Sequence, residues 1–354
     1  MAKPVFLTND PLTRKKWAKD LFPLVLKNIE GNELIGSSAD SIIQMRTELA
    51  KGEGDQITFG IRLPLTQEGI VGDDTVEGNE EKLRFRNFKM TIEELNLAVD
   101  TGGKMDEQRI PYDLMQEGKD GLQYRWSDIL SDQIFAHLCG DSTYKIAGKV
   151  FAQAPLEPDT NHIIVCNDGT ATALDSSHEA GLGFLDRMKQ QAEVPVSEST
   201  GYRIRPIMVN GKKMYRVILH NFVFDRLRAD VNAGAWGDML RSAQKLGVPN
   251  VEFEYNGMLV SKSERIRSTT TGEYRNVLLG AQAACIAWGG AGESKSTTMA
   301  FVPYTRDAER YVMIRGGGIL GVKATRFVTG SNADSTGEDY GKIVGLSYAT
   351  RLGS

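Results

Sequence analysis

Asp55-Gln56-Ile57-Thr58-Phe59-Gly60-Ile61-Arg62-Leu63 alternates apolar and polar residues, and Leu83-Arg84-Phe85-Arg86-Asn87-Phe88-Lys89-Met90-Thr91-Ile92 returns in kind, continuing through Leu95, Leu97 and Val99. Period-2 patterning of this sort marks half-buried strands. The phase slips near Arg86–Asn87 and again near Glu93–Glu94, where bulges or twists are expected. Between the runs, residues 64–81 carry Glu68, Asp73, Asp74, Glu77, Glu80 and Glu81 without a Lys or Arg, punctuated by Gly69, Gly72 and Gly78. The whole reads as a long two-stranded arm with an acidic tip and no core of its own. Isolated hairpins are marginal in water, so such an arm finds its apolar partner on another chain. This points to assembly rather than catalysis.

Composition bounds the rest. A chain of 354 residues is long enough for one large domain or two interleaved ones. Its 41% hydrophobic and 25% charged shares are those of an ordinary globular protein. A net charge of −4 argues against general nucleic-acid affinity, though not against a local basic face. Cys139, Cys166 and Cys285 are odd in number and far apart, which favours a reducing compartment over a disulfide framework. No apolar run suits a secretion signal or a membrane span, so neither is expected.

Helix is expected over 11–29, capped by Asn9–Asp10 and kinked at Pro23; Lys3, Arg14, Lys15, Lys16, Lys19 and Lys27 make it strongly basic. A second helical stretch runs from Lys104 to Leu138 with a break between Pro111 and Gly121, then a rod of about 30 Å placing Leu122, Trp126, Ile129, Leu130, Ile134 and Leu138 on one face. Strand 162–166 and helix 179–192 follow. A hairpin, Tyr202–Val209 with Lys213–Leu219, turns at Asn210–Gly211. Helices are expected at 221–230 and 236–246, and strands at 251–260, 275–288, 299–304, 310–315, 319–328 and 342–350. The fold class is α+β, not a βαβ repeat.

Several motifs suggest chemistry and fail on context. Gly316, Gly318 and Gly321 match a dinucleotide fingerprint, but strand-like residues follow where a helix must open. Gly289 with Ser294-Lys295-Ser296 approaches a phosphate loop but lacks its second glycine; the same Ser294 fails as a nucleophile elbow. Cys166-Asn167-Asp168-Gly169-Thr170 resembles the aspartyl phosphotransferase signature, with a cysteine where the nucleophilic carboxylate belongs. His162, Cys166 and His178 are loosely spaced for a metal, and His137 and His220 have no evident acid partner. No catalytic residue, cofactor or metal is expected.

The order of segments resembles the major capsid proteins of tailed double-stranded-DNA bacteriophages. Gly54 to Phe59, Glu77 to Glu81, Met105 to Arg109, Trp126 to Gly140, Leu279 to Ala284 and Gly321 to Phe327 carry the likeness, by their collinear order. The resemblance implies the tailed-phage (and herpesvirus) capsid fold: an N-terminal arm (1–50), an extended β-hairpin loop (51–103), a peripheral domain with a spine helix (104–159), an axial domain (160–298) and late strands returning to the peripheral domain (299–354). It implies hexamers and pentamers of an icosahedral shell around double-stranded DNA, with portal, scaffolding and decoration proteins as candidate partners, no membrane, and a virion capsid assembled in the host cytoplasm. Relatives that cross-link their shells use an extended-loop lysine; none lies between 52 and 81, so a non-covalent shell is expected.

Glu68, Asp73, Asp74, Glu77, Glu80 and Glu81 need a counter-surface on a neighbour, for which Arg203, Arg205, Lys212, Lys213 and Arg216, or Lys262, Arg265 and Arg267, are the candidates. Arg14, Lys15, Lys16 and Lys19 are candidates to face packaged DNA without sequence preference. Two alternatives stand beside the phage shell: a phosphotransferase-like enzyme around Asp168, and a non-viral compartment shell of the encapsulin type.

Overall fold

The computed structural model describes residues 29–351 except 31, 39, 48–53, 63–68, 73–76, 79, 81, 84, 104–108, 110–112, 169–173, 195–202, 231–235, 238–239, 241–246, 269–271, 291–298, 308–309 and 329–336. The expected N-terminal helix lies outside the described residues, as does the phosphate-loop-like Ser294-Lys295-Ser296.

Strands β1 (Ile35–Gly36) and β2 (Ile43–Arg46) come first, then the arm strands β3 (Gln56–Arg62) and β4 (Phe85–Thr91), and β5 (Glu93–Gly103). Helix α1 (Leu114–Cys139) leads to β6 (Ile163–Val165), α2 (Leu182–Glu193), β7 (Ile207–Val209), β8 (Lys212–His220) and α3 (Asn221–Asp230). The rest is strand: β9 (Phe253–Tyr255), β10 (Met258–Ser263), β11 (Glu273–Leu279), β12 (Ala284–Gly289), β13 (Met299–Arg306), β14 (Tyr311–Ala324), β15 (Arg326–Phe327), β16 (Glu338–Asp339) and β17 (Lys342–Tyr348). A six-stranded sheet runs β1-β2-β12-β14-β13, with β5 also paired to β14; a seven-stranded sheet runs β6-β17-β11-β8-β10-β9, with β7 on β8. Sheet membership cuts across the linear segments. β12 joins the six-stranded sheet, while β17 does not follow β13 and β14 but lies between β6 and β11.

Helix α1 is the longest packing unit. Asp113 caps its start by accepting from the N–H groups of Met115 and Gln116 at 3.0 and 3.1 Å, and Gly140 ends it in the left-handed region at φ 70°. The Arg275 guanidinium donates to the terminal carbonyls of Cys139 and Gly140, where the helix dipole favours a cation. The expected apolar stripe is entirely buried. The expected break falls at Asp113, whose extended backbone (ψ 95°) separates helical Arg109 from one continuous helix of 26 residues, about 39 Å long, with Gly118 and Gly121 in its interior. Gly118 is there for packing, because a Cβ would meet Thr101 Cγ2 at 3.0 Å and Ile314 Cδ1 at 3.4 Å.

The glycine-rich run is likewise a packing device. Gly316, Gly318 and Gly321 all lie within β14, a single strand through what the sequence suggested were two. The Trp126 indole N–H donates to Gly316 O at 3.1 Å. A Cβ on Gly316 would stand 3.2 Å from that nitrogen, and one on Gly321 would stand 2.1 Å from Thr91 O. Strand β15 follows β14 directly where a helix would have to open, so the dinucleotide reading lacks its anion-binding end.

Two further expectations divide. Residues 251–260 form two strands around Asn256–Gly257, both at positive φ. Residues 275–288 break at 280–283 and enter different sheets, with Gln282 at φ 61°. The hairpin at Asn210–Gly211 forms as expected, both residues at positive φ.

The sheets and α1 meet at a buried ionic junction. Arg326 binds Asp339 through two contacts of 2.9 Å, with side-chain exposures of 5% and 1%. Asp339 and Asp159 exchange bonds, each carboxylate accepting the other's backbone N–H at 2.9 and 3.2 Å. Lys342 Nζ, 4.0 Å from Asp339, donates to His137 O at 3.1 Å. Burial would raise the Asp159 carboxyl, but the His162 hydrogen bond and charge, the Asp339 N–H and Arg326 hold it below its ordinary value.

Removing one partner strands the others, so Asp339→Asn is expected to cost about 3–5 kcal/mol in chemical denaturation of the unassembled protein. Acid acts through two imidazoles, one buried and one half-buried. Burial first, then the charges of Lys342 and Lys323, push His137 down from 6.5 to about 3, and burial pushes His220 down to about 4. Folded values below the unfolded one mean that the unfolded state binds more protons below pH 6.5, so stability falls as pH drops through that window. His137→Gln is expected to flatten the slope between about pH 6.5 and 5 by up to ~1.4 kcal/mol per pH unit, read as denaturation midpoints across pH.

Candidate assembly arm and its anchor

β3 and β4 pair in unbroken antiparallel register, from Gln56 opposite Thr91 to Arg62 opposite Phe85. Directly opposed residues share a face, so Ile57 with Met90 and Phe59 with Phe88 form one apolar side. The slip expected near Arg86–Asn87 is therefore not a bulge: Phe85 simply faces the other way and is 56% exposed. The slip at Glu93–Glu94 marks a change of partner. Beyond Ile92 the chain leaves β3 and pairs with β14 instead.

The root of the arm has a core within its own chain, contrary to the sequence expectation. Phe88 and Met90 are buried with Cys285, Ala287 and Phe327, and Ile57, Phe59, Ile92 and Tyr340 pack against them. Phe59 and Phe88 stack at 5.8 Å between centroids, and Phe327 and Tyr340 meet edge to face at 5.3 Å. Arg46 lies 5.2 Å from the Phe59 ring and Lys323 5.3 Å from Phe88, contacts of the cation–π kind. Lys323 also donates to Lys89 O at 2.7 Å, and Arg86 pairs with Glu338 at 2.8 Å. Among the arm's described apolar residues, those of the far end lack cover: Leu83 and Phe85 are more than half exposed, and Val71 is 84% exposed.

At the tip, Glu77 and Glu80 are exposed, and Glu80 accepts from Gly78 N at 2.9 Å; Glu68, Asp73, Asp74 and Glu81 lie outside the described residues, as do Arg14, Lys15, Lys16 and Lys19. Of the candidate counter-charges, Arg203, Arg205, Lys212 and Lys213 are exposed on and beside the β7–β8 hairpin, with Arg205 paired to Asp40. Arg216 is not a surface residue. It is 3% exposed, bonded to Glu33 at 3.3 Å and Asn250 O at 2.7 Å, because β8 is a central strand buried on both faces from Met214 to Leu219. The second candidate set is engaged within the chain. Lys262 pairs with Glu252, Arg265 binds Glu30, Asp128 and Asp132, and Arg267 reaches Asp132. The Asp128–Asp132 spacing of one helical turn was the only sequence hint of that cluster.

Residues singled out for chemistry hold structural positions. Cys166 Sγ donates to Glu179 O at 3.1 Å, and burial pushes the thiol up to about 11, a poor nucleophile. Asp168 closes the short turn 166–168 after β6. His162 pairs with Asp159 at 2.7 Å and His178 with Asp175 at 2.8 Å, and no metal-holding group of three occurs among the described residues. Among those residues no helix is long and apolar enough to cross a membrane.

The model of a family described as phage capsid protein matches residues 6–350. The major capsid protein of Pseudomonas phage KPP25 is 26% identical over 299 residues, covering 76% of this chain and 73% of its own. The capsid of Ralstonia phage GP4 superposes with a TM-score of 0.78 at 23% identity, over all of both chains. The Cyanophage Pam1 capsid follows at 0.67 and 18%, over 90% of this chain and 91% of that one. The chain belongs to the phage capsid protein family. It is a major capsid protein, a structural subunit of a phage's icosahedral shell, with the α+β fold of tailed-phage capsids. Membership favours the phage shell over the encapsulin-type compartment, and the homologues are structural capsid proteins rather than phosphotransferases.

Root and tip should respond oppositely to truncation. Phe88→Ala is expected to destabilise the free subunit by about 3–5 kcal/mol, and Phe85→Ala to stay within about 0.5 kcal/mol while lowering the yield of shells; denaturation and sedimentation read the two.

Proposed function

We propose that copies of this chain associate as hexamers and pentamers of a non-covalent shell, with each arm laid across a neighbouring copy. The observation that carries the reading is the division of the arm into a root fixed on its own chain and a far end that exposes Val71, Leu83 and Phe85. Contacts of this head-to-tail kind close into rings or shells according to the rotation between copies. The six-stranded sheet with α1 serves as the peripheral domain, and the seven-stranded sheet as the axial domain that meets its copies at the capsomer centre.

The acidic tip, Glu68, Asp73, Asp74, Glu77, Glu80 and Glu81, meets Arg203, Arg205, Lys212 and Lys213 of a neighbour; Arg216, being buried, is left out. Such exposed pairs contribute only ~0–1 kcal/mol each, so they set register and partner choice more than strength. Arg14, Lys15, Lys16 and Lys19 face the packaged double-stranded DNA and neutralise phosphates without reading sequence. Portal, scaffolding and decoration proteins complete the particle, which assembles in the host cytoplasm.

The test is to excise 63–84 and join Arg62 to Phe85, which the register places opposite each other, through Asn-Gly. The variant is expected to fold and to yield no closed shells by light scattering and negative-stain imaging, under conditions where the parent chain forms them. Shells of parental mass from the excised chain would overturn the proposal.

A further inference from the structure

The arm leaves the six-stranded sheet through one residue. Thr91 ends the ladder with β3, Glu93 begins the ladder with β14, and Ile92 between them keeps one bond to the arm's base, donating to Asp55 O at 3.0 Å. Two glycines let this crossing lie against the sheet. A Cβ on Gly321 would stand 2.1 Å from Thr91 O, and one on Gly289 would stand 2.8 Å from Ile92 Cδ1.

A distant segment grips both sides of the crossing. Ala152 N–H donates to Glu93 Oε2 at 2.6 Å, and Ala152 O accepts from Thr91 Oγ1 at 3.0 Å. The same residue is thus bonded to the last residue of the arm and to the first of the sheet strand. Ala152 adopts φ 54°, a conformation costly for a residue with a Cβ and held only where surroundings over-determine it. The segment is itself tied down: Phe151 is buried in the main core, and Gln153 Nε2 donates to Val322 O of β14 at 3.2 Å. Just upstream, Ile146 and Lys149 exchange backbone bonds around Ala147 and Gly148, both at positive φ, which stiffens the approach.

We propose that residues 151–153 are a latch that fixes the angle at which the arm leaves the body, with Ile92 as the hinge and Thr91 and Glu93 as the two catches. Ala152 is held at positive φ by bonds to both sides of a change of sheet, and releasing the two catches removes the side-chain ties across Ile92 and loosens the chain there. The Phe59–Phe88 root and the paired backbone bonds of Asn87 and Val328, both 2.9 Å, hold the arm's base to the body, and the latch narrows the angle at which the arm leaves it. The inference rests on the reading of β3–β4 as an arm.

The three native cysteines are buried, so nitroxide labels at Thr58→Cys on the arm and Gln190→Cys on α2 report the arm angle in free subunits of the full chain. Pulsed dipolar spectroscopy of the parent is expected to give one narrow distance distribution. Thr91→Val with Glu93→Gln is expected to broaden it at least about two-fold, each single change less, while Glu94→Gln, which touches Arg315 and not the latch, leaves it unchanged. An unchanged width in the double variant with its unfolding transition intact would overturn the latch. Should the double variant not fold, the single variants decide in the same way. The measurement is made without assembly, so its failure is separate from failure of the arm-excision test.

Discussion

Asp339 sits at 1% exposure between the guanidinium of Arg326 and the ammonium of Lys342, and through them it ties three parts of the chain together. Arg326 follows β14 of one sheet, Lys342 begins β17 of the other, and Lys342 also reaches the last turn of α1. The exchange with Asp159 brings in the segment that leads to β6. Burying ions is costly, and a pair of apolar side chains of similar volume would often hold two layers as firmly. What ions add is direction. Each bond here is satisfied in one arrangement only, so the junction specifies how the sheets sit on the helix.

The same junction positions the arm. Phe327 follows Arg326 and Tyr340 follows Asp339, so the ring that meets Phe88 and the ring that backs it are carried by the backbone of the ion pair. Tyr340 N also bonds Thr325 O at 2.9 Å, locking β15 and β16 at that point. The arm is therefore rigid where it begins and uncovered where it ends. A shell subunit needs both properties: a fixed root to aim the contact, and an apolar far end whose burial on a neighbour drives association.

Local signals in the sequence were legible and non-local ones were not. Asn210–Gly211 announced a hairpin because few residue pairs tolerate two positive φ angles, and residues 221–230 formed the expected helix. The arm's alternation and the α1 stripe were equally plain. The root's cover came from Phe327, Cys285 and Ala287, more than a hundred residues away, and no spacing rule encodes such a meeting. The glycines of β14 looked like a nucleotide loop because close approach of a ligand and close approach of Trp126 require the same missing Cβ. Arg216 was readable in hindsight. One cation inside the apolar run Met214–Leu219 marks a strand buried on both faces, and its charge is answered inside the fold.

The account turns on where the far end of the arm is buried, and amide hydrogen exchange compared between free subunits and assembled shells reads that directly. Residues 82–86 are expected to exchange at least about ten-fold more slowly in the shell, while α1 around Trp126, already protected in the free subunit, stays the same. Equal exchange of residues 82–86 in both states would contradict the claim that the arm is completed by a neighbouring copy.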